Sequence, residues 1–202
     1  TLPELVRVVP DLSSRLLIVS GSDDMWRGGL SGRSSLYLHP DRPLLSGNRT
    51  STVLHELFHV ASRLRGKPGA DWIVEGLAEY YGLELLRRGG AITPRRYEGA
   101  LDALSEWATE AEVLCGVDST GAITAKAVTV LAALDRELED RSAGSVTLDD
   151  LLRRLLALPE PVDLATLARL AEELMGQASD ALHIEELPGC HRMSAGRTVE
   201  QS

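Results

Sequence analysis

The 202-residue sequence is 44% hydrophobic and 25% charged, the make-up of an ordinary globular chain long enough to bury a sizeable core. Its formal net charge is −9 and no Lys/Arg cluster stands free of acids, which argues against nucleic acid or an anionic membrane surface as a partner. No apolar run approaches the roughly 18–20 residues that a membrane-spanning helix needs, so no transmembrane segment is expected.

The chain opens with TLPELVRVVP, without an initiator Met, a basic stretch or an apolar leader, as a processed mature protein or a fragment does. Residues 1–48 read as strand-rich. RLLIVSG (15–21) is a short apolar run stopped by Gly21, and SSLYLHP (34–40) alternates, with Leu36 and Leu38 on one face and Tyr37 and His39 on the other. The glycine-rich GSDDMWRGGLSGR between them reads as a loop.

From residue 49 to 176 the pattern is helical. NRTSTVLHELFHVASRLRG spaces Val53, Leu54, Leu57, Phe58, Ala61 and Leu64 at helical intervals and ends in Arg65, Gly66 and Pro68. DWIVEGLAEYYGLELLRRGG starts at Asp71 as an N-cap and stops at Gly89-Gly90, and TPRRYEGALDALSEWATE opens with Thr93 as N-cap and Pro94 in the first helical position. Further helices are expected over 122–140, over 148–157 with Thr147 and Asp150 as a capping pair, and over 164–175. Residues 181–202 read as an irregular tail behind a single domain over 1–180. The expectation is an α+β fold: a small N-terminal β-sheet lobe, then a larger helical lobe, with the histidine helix at their junction.

Cys115 and Cys190 both lie in loop-like sequence, an even pair that suits an exported protein with one disulfide and, almost as well, a cytoplasmic protein with two free thiols. Only Lys67 and Lys126 among 21 basic residues are lysines, a usage that suggests a GC-rich, bacterial coding sequence.

The chemistry concentrates in HELFH. His55 and His59, four apart, sit about 6 Å from each other on one helix face and can reach one metal ion. Glu56 is rotated about 100° from His55, out of reach of the ion but able to face a water on it, as a general base must. A catalytic zinc needs a third protein ligand and an open fourth position. The next helix offers two acids at the same spacing, Glu75 and Glu79. Glu75 lies among Trp72, Ile73, Val74 and Leu77, so its carboxylate is partly buried and needs a cation or donors. Gly76 beside it is expected to let the histidine helix approach closely.

HELFH followed by WIVEGLAEYYG resembles the gluzincin metallopeptidases, and most nearly the glycyl aminopeptidase family. Within that family GGLSGRSSLYLHP (28–40) and SVTLDDLLRRLLA (145–157) also find counterparts, so the similarity runs from about residue 15 to about 175. The resemblance implies a Zn2+ cofactor held by His55, His59 and Glu75, with Glu56 as general base and Glu79 hydrogen-bonded to a ligating histidine; the reverse assignment, Glu79 as ligand with Glu75 behind it, stays open. It implies a peptide or protein substrate, contacted by Gly29, Leu30, Ser31, Tyr37 and His39, with SSLYLHP as the edge strand on which it lies.

The chain departs from the family at two places. Ser31 stands where the family carries a Glu that holds a substrate's amino terminus, and Thr124 where it carries a Tyr that steadies the oxyanion; Tyr80, Tyr81 or His39 are the residues left to supply such a hydroxyl or donor. Three functions follow: a zinc-dependent peptidase, of exo- or endo-type; a zinc-retaining domain that binds peptides or partners without cleaving; and a purely structural helical domain. Retention of Glu56 favours the first, because a metal site without chemistry has no use for it.

Overall fold

The computed structural model describes residues 2–9, 15–22, 28–45 and 50–190. Residues 23–27 of the expected loop, residue 49 at the expected helix start and residues 191–202 of the tail lie outside them. In chain order the elements are α1 (Leu2–Val8), β1 (Leu17–Ser20), β2 (Gly29–Ser31), β3 (Ser35–Leu38), α2 (Thr52–Ser62), α3 (Asp71–Arg88), α4 (Pro94–Trp107), α5 (Ala122–Arg141), α6 (Leu148–Leu156) and α7 (Leu164–Met175). A small sheet thus precedes a mostly helical region, the α+β arrangement expected.

Two elements were not expected. Residues 2–8 form a helix where strand material was read, burying Leu5, Val8 and the following Val9 on one side. That i, i+3, i+4 spacing is helical, but a single turn of it is too short to stand out from TLPELVRVVP. The loop between β1 and β3 contains β2, three residues that become a strand only by pairing Gly29 with Leu38, Leu30 with Tyr37 and Ser31 with Leu36.

The sheet order is β1-β3-β2, with β1 parallel and β2 antiparallel to β3. SSLYLHP therefore supplies the central strand and not the edge strand anticipated: β3 uses both of its backbone edges on its neighbours. Its face carrying Leu36, which is buried, packs with Gly29 of β2 toward α2. β1, though apolar, is exposed, with Leu17, Ile18 and Val19 at 63%, 57% and 43% exposure.

The chain divides into two compact units, one of Thr1–Leu64 with Ala78–Ala103 and one of Arg65–Leu77 with Leu104–Ser202; α3 and α4 each run from one to the other. In the first, Ser51 caps α2 by accepting the Leu54 N–H, and Phe58 of α2 stacks on Tyr81 of α3 with ring centroids 5.2 Å apart. The α2 helix stops at Ser62, with Arg63 in the left-handed region at φ 51°. Gly66 does not end the helix as expected. It forms a parallel bridge with Val162, and a Cβ on it would lie 2.9 Å from the Ala70 carbonyl oxygen.

In the second unit α5, α6 and α7 pack on one another, and Gly76 of α3 meets α5, where an added Cβ would lie 2.6 Å from the Ala127 Cβ. The close approach at Gly76 is therefore to α5 and not to the histidine helix; Gly82, near the Ser51 carbonyl and the His55 N–H, is the α3 glycine that faces α2. Asp71 is already helical, and its carboxylate accepts the Ser119 N–H at 2.8 Å. The Thr93, Pro94 and Thr147/Asp150 starts hold as expected. Cys115 and Cys190 form a disulfide.

Candidate metal centre

The α2 helix places His55 and His59 one turn apart, both half-buried, with their Nε2 atoms 3.1 Å from each other. Two nitrogens bound to one tetrahedral divalent ion at about 2.0–2.1 Å stand about 3.3–3.4 Å apart, so the imidazoles converge as a shared ion requires. The remaining ring nitrogen of His55, Nδ1, is 3.0 Å from Glu79 Oε2. A carboxylate there takes the Nδ1–H and leaves the Nε2 lone pair free to ligate.

One ligand atom from each of His55, His59 and Glu75 lies within 4.8 Å of the others, and this is the group among the described residues that could hold a metal ion. Two imidazoles and a carboxylate are a donor set that intermediate divalent metals accept. Glu75 and Glu79 thus stand differently: the first groups with a ring nitrogen of each histidine, the second hydrogen-bonds His55 Nδ1.

Glu56 points elsewhere from α2 than the histidines and is buried. Gly29 of β2 faces it directly: a Cβ there would lie 2.8 Å from Glu56 Cγ and 3.1 Å from its Oε1, and 2.6 Å from Thr52 Cγ2. Thr52 was not singled out from the sequence, which carries no local signal for a strand packing on this turn. Leu30 is well exposed and Ser31 exposed on the same strand. The Tyr37 hydroxyl donates to the Gly21 carbonyl at 2.5 Å, and buried His39 accepts the Asp41 N–H on Nδ1 at 3.2 Å.

Of the residues considered for a hydroxyl donor, Tyr81 is buried in its stack with Phe58, and buried Tyr80 hydrogen-bonds Tyr97. The Thr124 hydroxyl pairs with that of Ser119 at 3.2 Å. Tyr97 also donates to buried Glu84, which is clasped by Arg87 and Arg88. Burial and the Glu84 hydrogen bond push the Tyr97 phenol well above its usual range.

No protein-family model matches the sequence, and no curated protein matches it. The fold is similar to that of a crystallised aminopeptidase N family protein from Idiomarina loihiensis, with a TM-score of 0.55 and 16% identity over 98% of this chain. The chain spans 41% of the length of that protein. No described helix is long and apolar enough to cross a membrane.

Proposed function

We propose that this chain is the catalytic domain of a zinc-dependent peptidase of the gluzincin kind, with His55, His59 and Glu75 as ligands and Glu56 as general base. The observation that carries the reading is the pairing of the two Nε2 atoms, 3.1 Å apart, in a group where one ligand atom each of His55, His59 and Glu75 lies within 4.8 Å of the others. The likeness in fold to an aminopeptidase N family protein supports it. Zinc held there would act as a Lewis acid on the scissile carbonyl and make a water molecule acidic near neutral pH.

The rest of the chemistry falls to the chain's own side chains. Glu56 accepts a proton from the attacking water on a carboxylate oxygen and returns it to the leaving amine nitrogen. Glu79 takes the His55 Nδ1–H, fixing the ring's tautomer and angle. With β3 central, the strand beside Glu56 is β2, and an extended peptide lies along its outer edge through backbone hydrogen bonds. The disulfide supports export to an oxidising compartment.

A second reading, a metal-retaining domain that binds peptides without cleaving them, is favoured by the Thr124 hydroxyl being paired with Ser119 where the family carries a tyrosine. Losing one oxyanion donor costs about 100- to 1000-fold in rate. Metal analysis of the purified protein, run beside a peptide-library digest of wild type and Glu56→Gln, separates the readings. Stoichiometric zinc with cleavage that the variant abolishes supports the peptidase, and the cut positions distinguish exo- from endo-action. Zinc without cleavage supports the binder.

A further inference from the structure

We propose that Gly29 is a positioning residue for Glu56: its missing side chain leaves the space in which the carboxylate is held. The proposal rests on Glu56 being the general base. Gly29 does not have a positive φ, so backbone conformation is not what requires glycine here. Space is. A methyl group at this position would sit 2.6 Å from Thr52 Cγ2, 2.8 Å from Glu56 Cγ and 3.1 Å from Glu56 Oε1, whereas non-bonded carbons pack at about 3.5–4.0 Å.

The partners differ in how far they can yield. Gly29 is tied in register to Leu38 of β3, and α2 is anchored by buried Leu54, Leu57 and Phe58. The Thr52 methyl is branched at Cβ and stiff, while the Glu56 side chain turns about three bonds. Glu56 is therefore the group that moves when the space is filled. Strand β2 and Thr52 form two walls of a slot that selects one placement of the carboxylate, and neither histidine is among the atoms that an added Cβ meets first.

Gly29→Ala should then bind zinc with wild-type affinity, keep KM within about threefold, and lose kcat by about 10- to 100-fold, the cost of misplacing a reacting group by about an ångström. Its crystal structure should show the Glu56 carboxylate displaced by about that distance. Thr52→Ala opens the slot from the other side and should lower kcat several-fold with zinc affinity unchanged, which decides the matter if Gly29→Ala does not fold. Wild-type kcat in either variant overturns the proposal, as does loss of zinc by Gly29→Ala. If wild type and Glu56→Gln are equally inactive on peptides, the peptidase reading has failed, and the crystal structure alone decides: an unmoved carboxylate overturns the positioning role and a displaced one sustains it.

Discussion

Glu75 and Glu79 occupy equivalent positions on successive turns of α3, and the proposed centre gives them different work. A Glu75 oxygen lies within 4.8 Å of a ring nitrogen of each histidine, whereas Glu79 Oε2 is 3.0 Å from His55 Nδ1. Glu75→Ala leaves two imidazoles, so a zinc titration should show binding lost together with any hydrolysis. Glu79→Ala keeps all three ligands but frees one ring to rotate, and should weaken affinity or activity about 10- to 100-fold. The opposite ranking in the titration would reverse the roles. Glu56→Gln should keep zinc at full stoichiometry and lose hydrolysis, because an amide matches the carboxylate's shape but takes no proton; activity within tenfold of wild type removes Glu56 from the mechanism.

The long helices were legible in the sequence because their starts and stops are local chemistry, as at Thr93-Pro94 and in the Thr147/Asp150 box. What was not legible depends on partners far along the chain: that SSLYLHP is central, that β2 exists, that Gly76 faces α5 and Gly82 faces α2. The spacing of HELFH was visible, but the order of Glu75 and Glu79 relative to the histidines needed the helices in place. Helix α7 shows one local signal tied to a distant one. Asp163 caps it by accepting the Thr166 N–H and hydroxyl, and also pairs with Lys67 at 2.7 Å. Burial would raise the Asp163 pKa, but those donors outweigh it and hold the carboxyl at about 2, against an ordinary value of 3.8. A depressed folded-state pKa stabilises above the unfolded value, so roughly 2 kcal/mol is present from about pH 5 upward and is lost as pH falls from 4 toward 2. Asp163→Asn keeps an acceptor for Thr166 and loses the charge. Urea midpoints should place it below wild type at pH 7, with the gap closing near pH 2; a gap independent of pH would show that Lys67 contributes nothing through charge.

At the scale of the whole molecule, the disulfide is the covalent tie between distant parts of the chain. Cys115 and Cys190 are 75 residues apart, and the loop they close contains α5, α6 and α7. Closing a loop of that length removes entropy from the unfolded chain worth roughly 4 kcal/mol when the native geometry accommodates the bridge. The surrounding contacts indicate that it does. The Leu114 N–H donates to the Pro188 carbonyl at 2.7 Å, and Gly189, at φ 81°, fits against the Cys115 carbonyl where a Cβ would be only 3.3 Å away. A second tie holds the same segment upstream. Glu137 of α5 accepts from the Ser179 hydroxyl and the Asp180 and Ala181 N–H groups, and these donors, with Arg141, lower its pKa despite the opposing effect of burial. With that tie intact, breaking the disulfide should loosen the chain from about Leu182 onward and leave 176–181 docked. Cys115→Ser/Cys190→Ser, or wild type in reductant, should therefore unfold at a temperature lower by about 10 °C, in line with 2–4 °C per kcal/mol for a chain of this size. Hydrogen exchange should speed up first in 182–190. An unchanged melting temperature in reductant, with both thiols then titratable, would mean that the segment is held by its backbone contacts alone and that the bridge is incidental to the fold.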